Sequence, residues 1–191
     1  GAGTAPLHAR RRRMLAVTCA GSFLGPVDIT GVAVALPAMG RDLDLSFAAG
    51  IWVSAAYLLT YTVALVPVGR TADQWGRLRM WRLGVAVFAT SSLLLAIAPN
   101  STVLLALRGI QGVGAAILAS MATALVSAVF PPGERGGAIG LNVTAIYLGL
   151  ATGPLIGGLL VNGLGWRWVF LVNLPVAAAA LLASRGLHDP S

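Results

Sequence analysis

Six apolar runs of near-membrane length, separated by links of about three to eleven residues, constrain this chain more than anything else in it. They cover roughly 14–38, 49–69, 80–98, 102–130, 136–162 and 166–184. Each reaches the roughly 20 residues that a helix needs to cross the hydrocarbon core of a bilayer. Lipid cannot satisfy backbone N–H and C=O groups, and the runs lack the alternation of a barrel strand, so each is expected to be a helix. The chain has 191 residues, of which 57% are hydrophobic and 10% charged. A water-facing domain carries about 25% charged residues. So few charges cannot clothe a soluble surface, and the expected solvent is lipid. The fold class that follows is an all-α membrane protein with six transmembrane helices.

The arginines orient the bundle. All 13 basic residues are arginine. With the N-terminus inside, Arg10 to Arg13, Arg70, Arg77, Arg79, Arg82, Arg135 and Arg185 are inside, and only Arg41 and Arg167 are outside. This is a strong positive-inside bias, and an even number of spans returns the C-terminus to the same face. The expected location is the plasma membrane, multi-pass, with both termini cytoplasmic. Residues 1–13 read as a basic, mobile cytoplasmic tail, 14–185 as the bundle and 186–191 as the start of a cytoplasmic link. The first run lacks a small-residue cleavage site with a polar segment behind it, so it reads as a retained helix and not as a signal peptide. The net charge of +7 is spent at span ends and not on an aromatic-interleaved basic patch, which argues against nucleic acid as a partner. No metal-ligating cluster and no nucleotide-binding loop is present, and the single Cys19 excludes an internal disulfide.

Two charges fall inside spans. Asp28 is the acid within the first run, where an ionisable side chain needs a partner, a proton or water. It is either a proton carrier or a helix-packing carboxyl. Arg108 lies about 9 Å into the fourth run at 1.5 Å per residue. It either snorkels to the outer headgroups or faces Asp28 across a cavity, with Gln111 one turn further on the same face. Glycines 149, 153 and 157 form a stripe that permits close helix approach, and Pro154 interrupts the backbone ladder there. Trp52, Tyr57, Gln111, Asn142 and Tyr147 are candidates to line a substrate cavity.

The link Gly69-(x)3-Asp73-(x)2-Gly76-Arg77-x-Arg79 resembles the loop signature between the second and third helices of the major facilitator superfamily. Five further stretches resemble parts of that superfamily. Asp28-Ile29-Thr30 with Ala35-Leu36-Pro37 resembles the first-helix signature of its drug:proton antiporter branch; Arg108-Gly109-Ile110-Gln111-Gly112 resembles its fourth-helix motif; Gly149-(x)3-Gly153-Pro154-(x)2-Gly157-Gly158 resembles its antiporter motif; and Ile51-Trp52-Val53-Ser54 and Trp166 to Pro175 are similar to the fourteen-helix-type drug exporter branch. Arg70 and Gly31 depart from the usual pattern. The resemblance implies one bundle of the major facilitator fold, a three-plus-three inverted repeat. The spacing Gly158-(x)3-Asn162-(x)2-Gly165 echoes the link signature after segment five.

The function implied is secondary active efflux of small amphipathic compounds in exchange for protons, by alternating access. No catalytic residue and no cofactor is expected, and the proton gradient supplies the energy. Asp28 and Arg108 would couple protons, while Gly69, Asp73, Gly76 and Arg77 would form a cytoplasmic latch. Gly149, Gly153, Pro154, Gly157 and Gly158 would form the antiporter motif. Expected partners are lipid, a small-molecule substrate, protons, and a second six-helix bundle from a missing part of the protein or from another chain. A proton-coupled importer, a half-size transporter acting as a dimer and a non-transporting scaffold are the alternatives. A lone bundle is expected to leave the stripe at Gly149, Gly153 and Gly157 exposed to lipid.

Overall fold

A computed structural model describes residues 4–189. The helices are α1 (Thr4–Asp42), α2 (Phe47–Trp75), α3 (Arg77–Ala96), α4 (Ser101–Val129), α5 (Pro132–Gly163), α6 (Trp168–Leu171) and α7 (Asn173–Ser184). Five are long and apolar enough to cross a membrane, and α6 with α7 supplies a shorter apolar stretch, Trp168–Ser184, in the place of the sixth run. Local chemistry sets the boundaries. The Ser46 hydroxyl accepts from the Ala49 N–H at 3.2 Å, and the Asn100 side chain accepts from the Val103 N–H at 3.0 Å, so each caps a helix start. Pro132 stands in the first turn of α5, where its missing N–H costs nothing.

Three boundaries differ from the expectation. The arginine run lies within α1 and not in a mobile tail, because the helix already begins at Thr4. Arginine is a good helix former, and Arg10, Arg11 and Arg13 each find a partner. The link Gly69–Arg79 shrinks to a single residue: α2 runs on to Trp75, and Gly76 alone separates it from α3. Its φ of 93° is a backbone state that favours glycine. The sixth run is broken at Val172, which separates α6 from α7.

The helices pack as two interleaved triplets. The closest pairs are α1 on α5, α2 on α4 and α3 on α4, with α7 and α6 against α1. Exchanging the first triplet with the second maps α1–α5 onto α4–α2 and α3–α4 onto α6/α7–α1. That exchange is the three-plus-three repeat. The repeated signature carries it into the backbone, since Gly165 has a φ of 100° beside the 93° of Gly76.

Missing side chains make the close contacts possible. A Cβ on Gly149 would lie 2.8 Å from the Phe23 carbonyl, one on Gly153 2.8 Å from the Val27 carbonyl, and one on Gly157 2.9 Å from Gly31 Cα. The stripe therefore seats α1 inside the bundle and is not left to lipid, contrary to expectation. It also accounts for the small residue at Gly31. On the other triplet a Cβ at Gly112 would collide with Thr60 and the Tyr57 carbonyl, and one at Gly114 would lie 2.8 Å from the Phe88 nitrogen. Gly158 faces open space and Pro154 is exposed.

The apolar core has two parts. One holds Met14, Val17, Leu24, Trp81, Val85, Phe88, Leu118 and Ala177. The other holds Val32, Met39, Val53, Leu95, Leu104 and Phe170. Gly157→Ala is expected to destabilise the bundle by about 1–3 kcal/mol through forced overpacking. Gly158→Ala is expected to be neutral or stabilising by up to about 1 kcal/mol through helix propensity. Unfolding of the two variants in mild detergent, monitored by helical circular dichroism, checks the contrast.

Candidate functional site

Each helix that spans both parts of the core contributes a polar group where they meet. On α1 Asp28 falls between Leu24 and Val32; on α4 Arg108 and Gln111 fall between Leu104 and Ala115; on α3 Ser92 falls between Phe88 and Leu95. Asn173 follows Phe170 at the start of α7, and the Val53 carbonyl comes from α2. These groups form one hydrogen-bonded layer.

Arg108 Nη1 donates to Asp28 Oδ2 at 2.6 Å and to Gln111 Oε1 at 2.5 Å, and its Nε donates to the Val53 carbonyl at 3.0 Å. Gln111 Nε2 donates to Asp28 Oδ1 at 3.1 Å and to Ser92 Oγ at 2.8 Å. Asn173 Nδ2 donates to Asp28 Oδ1 at 2.8 Å. The two charged side chains are 1% and 0% exposed. The guanidinium carbon also lies 4.4 Å from the centre of the Tyr57 ring and 6.0 Å from that of Phe170, within the range of a cation–π contact. Arg108 thus does not snorkel, and it touches Asp28 directly with no cavity between them. Three side chains on two other elements converge on one carboxylate. Adding or removing a proton at Asp28 therefore changes the hydrogen bonding of α1, α4 and α7 together.

A cavity of about 150 Å³ lies beside this layer, lined by residues of α1, α2, α4 and α5 that include Ser22, Gly25, Tyr57, Tyr61, Thr123 and Asn142. Tyr57 belongs to both, since its ring meets Arg108 while the residue also lines the cavity. Ser22 Oγ donates to Asn142 Oδ1 at 2.7 Å. Among the described residues four buried side-chain atoms have no hydrogen-bond partner: the Tyr57 hydroxyl, Asn142 Nδ2, Asn173 Oδ1 and Trp81 Nε1.

The structure brings together Asp28, Arg108, Gln111, Tyr57 and Asn142, but not every expected residue. Gln111 serves the charged layer and does not line the cavity. Trp52 and Tyr147 do not line it either; they lie on the bundle surface, 50% and 65% exposed. Gly69 is within α2 with nothing near its missing Cβ. Arg77 reaches the Ala124 carbonyl at 3.4 Å. Asp73 lies in α2, and its side chain is outside the described part of the structure. Asn173 and Ser92 were not expected. Asn173 carried a signal, a lone amide in an apolar run, whereas Ser92 had none to separate it from any helix serine.

At the two ends, other polar contacts tie the repeats. Asp42 Oδ2 accepts from Arg167 Nη1 at 2.6 Å and from the Trp166 indole at 3.0 Å. At the arginine-rich end Asp189 Oδ1 accepts from the Leu78 N–H at 2.6 Å and caps α3, while Arg82 donates to the Ser184 and Leu187 carbonyls.

A bundle of long apolar helices around a buried ion pair, with a cavity beside it, has the architecture of a multi-pass membrane protein. The chain belongs to the Major Facilitator Superfamily, whose family model matches residues 18–190. It is 44% identical over 177 residues to the puromycin resistance protein pur8 of Streptomyces alboniger, covering 92% of this chain and 35% of that protein. It is 41% identical over 172 residues to the multidrug resistance protein Stp of Mycobacterium tuberculosis, covering 87% and 31%. The chain thus spans about a third of the length of these relatives. The proton:xylose symporter XylE superposes with a TM-score of 0.85 at 16% identity, over 96% of this chain and 46% of that one, a likeness of fold.

Removing one partner of a buried, hydrogen-bonded ion pair typically costs roughly 3–5 kcal/mol. Arg108→Gln is expected to fall in that range. The double variant Asp28→Asn with Arg108→Gln should lose less than the sum of the single losses, with a coupling of roughly 1–3 kcal/mol. A double-mutant cycle by chemical unfolding in detergent measures it.

Proposed function

We propose that this chain is one bundle, the N-terminal one, of a proton-coupled efflux transporter for small amphipathic compounds. The observation that carries the reading is the buried Asp28–Arg108 pair, sharing Tyr57 with a cavity in the same helix bundle. Intramembrane charges held this way mark proton or substrate pathways. The antiporter-like motif at Gly149–Gly158 and the resistance proteins among the relatives support export.

In this reading the arginine-rich end is cytoplasmic. Substrate enters the cavity from that side and weakens the grip of Arg108 on Asp28. Asp28 then takes a proton from the opposite side, and Arg108 lets go of it while keeping Gln111 and the Val53 carbonyl. Proton release to the cytoplasm restores the pair. A second bundle closes the other wall of the cavity, and rocking of the two exposes it to each side in turn. The segment around Gly76 and Arg77 holds one of these states against the second bundle.

A proton-coupled importer would use the same charges, and the direction of coupling separates the two. The full-length gene product in inside-acid proteoliposomes, given puromycin outside, is expected to raise the luminal pH as drug enters and protons leave. Asp28→Asn should abolish both fluxes, while Asp42→Asn at the outer clasp should retain them. A luminal pH that falls with drug entry contradicts antiport. Full activity of Asp28→Asn contradicts the role of Asp28.

A further inference from the structure

Arg12 differs from the rest of the arginine run. Its three neighbours in the run are engaged at the ends of other elements. Arg10 donates to the His188 carbonyl at 3.1 Å, Arg11 pairs with Glu134 at 3.3 Å, and Arg13 donates to the carbonyls of Ala183 and Arg185 at 2.6 and 2.5 Å. Among the described residues Arg12 has no such partner, and it is exposed. Glu134 is the one carboxylate paired with the run among these residues. The local field is therefore strongly positive, and Arg12 is the guanidinium within it left open to an anion.

Arg12 also lines a groove of about 390 Å³ between α1 and α5, with Leu15, Ala16 and Cys19 on one wall and Leu141, Thr144, Ala145 and Leu148 on the other. The walls are almost wholly apolar. The one hydroxyl, of Thr144, is already given to the Gly140 carbonyl at 2.9 Å. The two helices run side by side in the same direction, since Arg11 meets Glu134 near one end and Gly31 meets Gly157 near the other. From Arg12 to Cys19 and from Leu141 to Leu148, seven residues on each helix span about 10 Å. The groove lies on the flank of α1 and α5 and shares no lining residue with the cavity beside Asp28.

A cation at the mouth and an apolar trough leading inward, at the end of a membrane span, match one kind of molecule. We infer that this groove binds an anionic phospholipid, with the phosphate on Arg12 and an acyl chain between α1 and α5. Juxtamembrane arginines attract anionic headgroups, and the groove adds shape to that attraction. The site holds one lipid in register with α1, the helix that carries Asp28. The inference rests on the membrane-spanning fold alone and stands whether or not the protein exports drugs.

The test is native mass spectrometry of the full chain released from detergent, titrated with phosphatidylglycerol and phosphatidylcholine of identical acyl chains. Phosphatidylglycerol should be retained about fivefold better, the factor expected of one arginine near an anionic headgroup. Arg12→Gln should reduce the two lipids to parity, whereas Arg11→Gln should keep most of the preference. Ala16→Trp, which fills the groove and leaves Arg12 in place, should lower retention of both. A photoactivatable phosphatidylglycerol carrying its label in the acyl chain should crosslink to residues 15–19 and 141–148. Equal retention of the two lipids by the unsubstituted chain, an undiminished preference in Arg12→Gln, or crosslinks elsewhere on the bundle would each overturn the assignment. So would crosslinking of the same groove in the full-length protein to another of its helices in place of lipid.

Discussion

Two opposite charges held out of water and out of lipid set the terms for this bundle. Burying either charge alone costs several kcal/mol even after relaxation. Asp28 and Arg108 are tolerable only because each is met by its counter-charge and by further polar groups: Gln111 and Asn173 at Asp28, Gln111 and a backbone carbonyl of α2 at Arg108, with Ser92 holding Gln111 in turn. That requirement reaches α1, α2, α3, α4 and α7 and places a polar group of each at one level between two apolar clusters. A half-satisfied network would be worse than an apolar core. The layer therefore specifies the register of the helices along their length, which apolar packing alone leaves loose.

The glycines make the layer reachable. Without driving force from water, helices in lipid associate through close packing, and small residues let the backbones approach. Gly149, Gly153 and Gly157 bring α5 onto α1, while Gly112 and Gly114 bring α4 onto α2 and α3. The stripe that resembles an antiporter signature thus has a packing role in full. It seats the helix that carries Asp28.

Much of this was legible in the sequence, and for physical reasons. Lipid forces long apolar runs and drives charge to their ends, so the spans, and Asp28 and Arg108 as intramembrane outliers, stood out directly. The repeated glycine spacing showed the inverted repeat because Gly76 and Gly165 both occupy a backbone region that other residues avoid. What was not legible was tertiary. Nothing local distinguishes Ser92 from other helix serines, and nothing tells that Gln111 turns to Asp28 while Tyr57 and Asn142 line the cavity. The expected exposure of the glycine stripe failed for the same reason: a small-residue face says that something comes close, not which helix. The link around Gly76 read as a loop because its charges are loop-like, yet one left-handed glycine suffices to separate two helices.

In the proposed function Asp28, held by Arg108, is the group that takes up and gives back the proton. Infrared difference spectroscopy of the reconstituted full-length protein, stepped in pH, reads this at the carboxyl itself. A protonated-carboxyl band is expected to appear on acidification in the unsubstituted protein and to be absent in Asp28→Asn. A band that persists unchanged in Asp28→Asn, or no band at any pH at which the fold survives, would contradict the account.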